Sequence, residues 1–235
     1  MSLLSIIQDA MVDLNLNKPT SVVGSTDTQV LQFLSLVKRD GLDLLRRFNW
    51  QALIKEVSFT SVATQEQTTL AAVAPDFFRM MDESMNNRTQ HWRVLGPLTP
   101  PEWQRRLSLG AQVGVVNSYR IYGNAIWFYP VPPAGDSIYF EYVTDKWVLA
   151  ADGITAKTTF TADDDTSIIN EDILTLGTKW RFLKAKGLDY SEEFRSYESA
   201  LESVFGSDGA APLVDMTGTI IDWTIPALPD GSWNI

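Results

Sequence analysis

Apolar residues recur every three or four positions in two stretches at the start of the chain, which is the spacing of an amphipathic helix. The first stretch begins at Leu3 and stops before the Lys18-Pro19 pair. The second follows a capping box that opens at Thr26, and it runs to about Arg47 with Gly41 as a weak point. Its apolar stripe consists of Val30, Phe33, Leu34, Val37, Leu44, Leu45 and Phe48.

Helical spacing returns in two further stretches near the other end of the chain. The first ends at Gly187, a residue suited to a left-handed C-cap, and its apolar positions are Ile168, Ile169, Ile173, Leu176, Trp180 and Leu183. The second opens at Ser191 and carries Phe194, Tyr197, Leu201 and Phe205. Because neither helix pair can bury its stripe alone, we expect the four helices to form one bundle.

The residues between the two helix pairs alternate between apolar and polar positions, which indicates strands. Residues 54–59 and 75–79 are strand candidates, and the runs 119–122, 125–129 and 137–143 predict a three-stranded meander with many aromatic residues. A second capping box at Thr99 predicts a short helix through Leu107 as an insert among the strands.

The predicted fold is α+β: N- and C-terminal helices form a bundle of residues 1–50 and 163–206, with an inserted antiparallel β-sheet domain of residues 51–162. Residues 207–235 match neither period, because glycines and prolines interrupt tryptophans and β-branched residues. We predict an extended C-terminal arm that needs a surface to lie on. The alternative is that the arm folds back as an extra edge strand of its own sheet.

Charge and composition restrict the function. The chain has 29 acidic and 19 basic residues and a formal charge of −10, which argues against a protein that binds nucleic acid through its phosphates. It has no cysteine, so disulfides, thiolate metal sites and cysteine nucleophiles are excluded. There is no run of about 18 apolar residues and no basic start to the chain, so we expect a soluble protein without a standard secretion signal.

Motifs for catalysis are missing or weak. His91 is the single histidine, and a packing or hydrogen-bonding role explains it best. The run from Asp163 to Asp165 could hold a hard cation, but capping of the following helix is the simpler explanation. Pairs such as Glu102 with Glu141 carry almost no signal among 29 acids. We therefore predict no enzyme activity, no cofactor and no metal site.

Eight tryptophans are many for this length. Trp50, Trp127 and Trp180 lie within predicted elements and are expected in the core. The arm residues Trp223, Ile225 and Trp233 have no predicted element to bury them. We predict that these three bind a partner, because aromatic side chains are frequent anchors at interfaces.

Several weak motifs occur in one order along the chain: Arg47-Phe48-Asn49-Trp50-Gln51-Ala52-Leu53, Pro75-Asp76-Phe77-Phe78-Arg79, Tyr122-Gly123-Asn124-Ala125-Ile126-Trp127-Phe128-Tyr129-Pro130, Pro132-Pro133-Ala134-Gly135 and Lys186-Gly187-Leu188-Asp189-Tyr190. With the predicted helix pairs, this order resembles the head-to-tail adaptor proteins of tailed bacteriophages. The resemblance spans roughly residues 1–205 and does not include the arm.

The resemblance implies a structural virion protein of the neck or tail, assembled in the host cytoplasm. Adaptors of this kind form a ring, usually of twelve copies, beneath the portal protein. The ring contacts neighbouring subunits and downstream tail or nozzle proteins, and DNA passes through it without specific binding. An acidic ring suits that role because like charge prevents DNA from sticking. No membrane contact and no catalytic residues are implied.

Two other classes stay open at this point. A receptor- or carbohydrate-binding tail module is favoured if the aromatic residues of the meander prove exposed and clustered. A tail-associated cell-wall hydrolase would need an acidic pair in a cleft, and Glu102→Gln would then abolish turnover of peptidoglycan.

Overall fold

The computed structural model describes residues 2–108, 110 and 117–209. Contacts group these residues into two units. The helical unit combines residues 2–53 with residues 145–209, and the β unit lies between residues 54 and 144. The predicted α+β class is confirmed. The predicted arm lies outside the described residues.

Four long helices build the helical unit: α1 (Leu3–Asp13), α2 (Thr28–Arg47), α5 (Glu171–Lys186) and α6 (Ser191–Asp208). Two shorter helices, α3 (Leu70–Val73) and α4 (Pro100–Leu107), belong to the β unit. Helix α5 packs against α1, α2 and α6, so it is the centre of the bundle. No described helix is long and apolar enough to cross a lipid bilayer.

Lys179 shows how α5 joins its neighbours. Its ammonium lies 3.0 Å from the Asp13 carboxylate at the end of α1 and 3.5 Å from the Glu193 carboxylate near the start of α6. The Lys179 side chain is 12% exposed, so water screens these contacts less than it screens a surface pair. One residue of α5 therefore contacts both helices electrostatically.

Most helix boundaries follow the predicted signals, with one correction. Gly187 has a φ of 71° and ends α5 as its left-handed C-cap, and Ser191 begins α6. The N-cap of α2 is Asp27 rather than the predicted Thr26, because the Asp27 carboxylate accepts a 2.8 Å hydrogen bond from the Gln29 N–H. A carboxylate also interacts favourably with the positive end of the helix dipole.

Gly41 is not a weak point of α2 but a close contact. It is buried, and a Cβ atom placed on it would lie 2.2 Å from Cη2 of Trp147. Trp147 is fully buried and packs edge-on against Phe160, with ring centroids 5.1 Å apart. The missing side chain therefore lets the indole lie against the helix backbone.

The acidic run does not cap the helix that follows it, which corrects the sequence-based interpretation. Asn170 is the N-cap of α5. The Asp163 carboxylate instead accepts hydrogen bonds from the Val22 and Val23 N–H groups, and the Asp165 carboxylate accepts from Thr161 and Ala162. The carboxylates of the run therefore bind loop amides, and the N-terminal end of α5 is capped by Asn170.

The same run also holds the start of α1. The backbone carbonyls of Asp163 and Asp165 accept hydrogen bonds of 3.1 and 2.7 Å from the N–H groups of Leu4 and Leu3. These two N–H groups lack partners within their own helix. Asp165 is fully buried and pairs with Lys157 at 2.7 Å. The run therefore joins the N-terminal helix to the second half of the chain.

Eleven short strands are present in the described residues. Three of them form a small sheet of the helical unit: β9 (Val148–Leu149), β10 (Ala156–Lys157) and β11 (Thr166–Ser167). The other eight belong to the β unit: β1 (Ile54–Thr60), β2 (Glu66–Thr69), β3 (Phe77–Met80), β4 (Asn86–Asn87), β5 (Trp92–Arg93), β6 (Ser118–Tyr122), β7 (Ala125–Tyr129) and β8 (Ser137–Thr144).

The predicted three-stranded meander is wrong in its third strand. Strands β6 and β7 form the predicted hairpin, but β2 pairs with the other edge of β7. Strand β8 lies in a different sheet, where β1 pairs with one edge and β3 and β4 pair with the other. Three prolines between residues 130 and 133 lack the N–H groups that a continuing ladder needs.

The two sheets of the β unit share one apolar core, which includes Tyr119, Phe128, Phe140 and Tyr142. The two ends of the unit are neighbours, since Ile54 at the start of β1 pairs with Val143 at the end of β8. Near this end, the Asp76 carboxylate is 6% exposed and accepts hydrogen bonds from Tyr142, Thr144 and Lys55. Burial opposes its ionisation, but these three donors hold the pKa of Asp76 well below its usual range.

Candidate interaction surface

Three helices of the bundle meet at one buried carboxylate. Asp40 of α2 is fully buried, and its Oδ1 atom accepts a 2.9 Å hydrogen bond from Nε of Arg181 on α5. The hydroxyl of Tyr197 on α6 lies 3.3 Å from the same oxygen. Gly177 makes room for the carboxylate, because a Cβ atom there would lie 2.0 Å from Oδ2 of Asp40.

Burial dominates the electrostatics of this carboxylate. Desolvation raises the pKa of Asp40 to about 6, although the ion pair with Arg181 acts in the opposite direction. The Oδ2 atom has no hydrogen-bond partner among the described residues. The negative charge of the ionised carboxylate is therefore only partly compensated. Arg181 has a second partner, Asp43, whose Oδ2 lies 2.7 Å from the guanidinium.

A groove lies between α2 and α5 beside this ion pair. It has a volume of about 300 Å³. Its lining is one leucine, one alanine, one tryptophan and three cations: Leu36, Arg39, Trp180, Arg181, Lys184 and Ala185. No acidic residue lines it. Asp40 and Asp43 pair with Arg181, whereas Arg39 and Lys184 form no ion pair within the described part of the chain.

Trp180 separates the groove from the aromatic cluster that joins α5 to α6. Its ring lies 5.1 Å from that of Phe194 and 6.0 Å from that of Tyr197. The Arg181 guanidinium lies 4.5 Å and the Lys184 ammonium 5.7 Å from the indole centroid, within cation–π range. Trp180 is 8% exposed, and its indole N–H has no acceptor among the described residues.

Further exposed apolar residues lie on or next to the helices that line the groove. They lie in the turn between α5 and α6 and on the first turn of α6: Leu188 is 56% exposed, Tyr190 36% and Phe194 37%. On the side of α2, Leu31 and Leu42 are 45% and 41% exposed. Exposed aromatic side chains and arginine are enriched where one protein binds another.

The residues considered for catalysis either cap a helix or are exposed on the surface. Glu102 caps α4, because its carboxylate accepts a 2.9 Å hydrogen bond from the Thr99 N–H. Glu141 is exposed on β8, and His91 is exposed in the turn between β4 and β5 with a φ of 57°. Among the described residues, no group of three His, Cys, Asp or Glu side chains could hold a metal ion.

The predicted partner-binding residues Trp223, Ile225 and Trp233 lie outside the described residues, so they stay a prediction. The groove itself was not predicted. The prediction that Trp180 is buried is confirmed. The sequence contains one local signal for the groove on α5: Lys184 follows Trp180 by four residues, a spacing that brings two side chains together on one face of a helix.

Comparison with protein-family models gives a match over most of the chain. A model of the SU10 adaptor protein family matches residues 1–226. The chain belongs to the SU10 adaptor protein family. The match includes both units and extends into the part of the chain beyond α6. A search among curated proteins finds no match.

Membership in the SU10 adaptor family indicates a structural protein of a bacteriophage particle rather than an enzyme. It also indicates a component of the virion neck that contacts portal and tail proteins.

Proposed function

We propose that this protein is a head-to-tail adaptor that forms a ring beneath the portal protein. The ring, of twelve copies by the resemblance described above, extends the DNA channel and presents a platform for downstream tail or nozzle proteins. The protein has no enzyme activity and no cofactor in this role. It is synthesised and assembled in the host bacterial cytoplasm and remains in the virion.

The family match over residues 1–226 is the observation that carries this proposal. The charge distribution supports it. The segment from residue 163 to residue 208 contains eleven acidic and five basic residues, a net charge of −6. A ring with that segment along its channel would repel the phosphates of passing DNA rather than bind them.

Electron microscopy of the protein with and without its portal protein tests the proposal. We expect closed rings of one copy number, stacked coaxially on portal rings. A control with a portal protein from an unrelated phage should give no stacked particles. Failure to associate with the cognate portal under conditions in which both proteins are folded would exclude the adaptor role.

A carbohydrate- or receptor-binding tail module is the second candidate, and one observation favours it. Tyr122 is 59% exposed beside Trp127, with ring centroids 5.9 Å apart, and the Arg120 guanidinium lies 5.2 Å from the Tyr122 ring. Four other aromatic residues of β6, β7 and β8 are buried: Tyr119, Tyr129, Phe140 and Tyr142. One exposed ring is a small platform for stacking sugars, so the adaptor role has the stronger support.

A binding assay with host surface glycans separates the two candidates. A binding module requires saturable binding that Tyr122→Ala abolishes. The adaptor role predicts no such binding and predicts that Tyr122→Ala assembles with the portal as the parent protein does.

A further inference from the structure

The side chains that line the groove between α2 and α5 indicate which kind of ligand it can bind. Arg39 and Lys184 supply two cationic groups without carboxylate partners in the described residues, and Trp180 supplies part of its aromatic ring. Leu36 and Ala185 add apolar surface. The complementary ligand is a peptide with a carboxylate directly beside a large apolar side chain.

This chain contains such a peptide after α6. Residues 210–235 include three aspartates and no lysine, arginine or histidine. Asp222 is adjacent to Trp223; Ile221 directly precedes the pair, and Ile225 follows Thr224 after it. Trp233, in contrast, is three residues from the nearest acid.

We propose that the segment 221–225 of one copy binds in the α2–α5 groove of another copy. The choice of another copy rests on the proposed ring, in which each subunit must grip a neighbour. The Asp222 carboxylate pairs with Arg39 and Lys184, and the Trp223 indole packs on Leu36 and the Trp180 ring. A contact between two different surfaces of the same chain is heterologous, and it closes into a ring when the rotation allows.

The length of the chain permits this contact. Thirteen residues lie between Gly209 and Trp223, and they reach at most about 43 Å at roughly 3.3 Å per residue. Helix α6 has 18 residues, a length of about 27 Å. The segment can therefore pass beyond its own bundle, and the experiment must distinguish a neighbour's groove from its own.

Disulfide trapping tests the occupancy of the groove, because the chain has no cysteine of its own. The receiver is the full-length protein with Ala185→Cys in the groove, and with Asp222→Arg and Trp223→Ala to disable its own segment. The probe is a synthetic peptide of residues 217–229 with Ile221→Cys, Thr224→Cys or Ile225→Cys in turn. The product is the disulfide-linked complex, quantified by mass spectrometry in a glutathione buffer.

We expect at least one of the three peptides to react with the groove receiver about tenfold faster than with a control receiver. The control has Ile154→Cys instead, because Ile154 is 84% exposed and lies outside the groove. Arg39→Glu with Lys184→Glu in the groove receiver should remove most of that advantage. Equal rates for both receivers with all three peptides would overturn the proposal.

A second measurement decides whose groove is occupied. The full-length protein with Ala185→Cys and the best of the three peptide positions should form products of two or more chains. An internal disulfide within one chain, or no disulfide at all, would overturn the contact between copies. If the protein forms rings on the portal but no disulfide between copies, the adaptor role holds and this contact is wrong. If the disulfide between copies forms but the protein does not bind the portal, this contact holds and the adaptor role is wrong.

Discussion

The Cα atom of Gly41 lies directly against the Trp147 indole, so that a Cβ atom there would be 2.2 Å from Cη2. Gly41→Ala should destabilise the protein by about 2 kcal/mol, because the buried indole has no space to move away. Chemical denaturation measures this change. Gly206→Ala is the matched control: Gly206 is also helical but has no atom within 4 Å of its Cβ position, so that substitution should be neutral or slightly stabilising. Equal effects of the two substitutions would contradict the packing argument.

Asp40 should make the stability of the protein depend on pH. Its folded-state pKa of about 6 exceeds the unfolded value, so its contribution is fully present at low pH and is lost as the pH rises through 6. The loss between pH 4.5 and 7 should be about 2 kcal/mol, at about 1.4 kcal/mol per unit. Asp40→Asn should remove this slope, which denaturation at several pH values would reveal. A variant with the slope of the parent protein would rule out Asp40 as its origin.

The acidic run offers a matched pair of substitutions. Asp165→Ala should destabilise the protein by about 3 kcal/mol, because it removes the acceptor for the Thr161 and Ala162 amides and the partner of Lys157. Asp164 is exposed, and Asp164→Ala should change stability by less than about 0.5 kcal/mol. Hydrogen exchange should show faster exchange in α1 for Asp165→Ala alone. Unchanged α1 protection would contradict the link between the run and this helix.

Asp76 should stabilise the β unit at neutral pH. Asp76→Ala should cost about 3 kcal/mol, because the hydroxyls of Tyr142 and Thr144 lose their acceptor. Since the folded pKa of Asp76 is lowered, its contribution is present above the unfolded pKa and is lost as the pH falls below about 4. Thermal unfolding at pH 7 measures the cost, with Asp82→Asn at an exposed position as control.

The net charge of −10 predicts that the protein does not bind duplex DNA. Fluorescence anisotropy at low salt should show no binding at micromolar protein concentrations, where electrostatic attraction would be strongest. A basic DNA-binding domain serves as the positive control. Sub-micromolar affinity would contradict an acidic channel through which DNA passes freely.

Local signals explain which elements could be predicted from the sequence. Gly187 acts on the end of its own helix, and the capping box at Thr99 and Glu102 lies within four residues. Such signals need no knowledge of the rest of the fold. The helix pairs and the β6–β7 hairpin were predicted for this reason.

Contacts between distant residues explain what could not be predicted. The partner of β8 depends on β1, about 80 residues earlier, and not on the neighbouring hairpin. Asp163 bonds amides about 140 residues away in sequence. The groove exists because Arg39 of α2 and Lys184 of α5 lie on the same surface, and no pattern within either helix reveals that.

Ile54, the first residue of the β unit, pairs across the sheet with Val143, which lies at its end. When the first and last residues of an inserted segment are neighbours, the insertion fixes only the short distance between the two points at which it joins the rest of the chain. Its interior can therefore lengthen, shorten or be replaced by another sheet while the bundle keeps its own packing. Insertions, deletions and substitutions within the β unit can therefore accumulate in evolution without changes to the residues that pack the four helices.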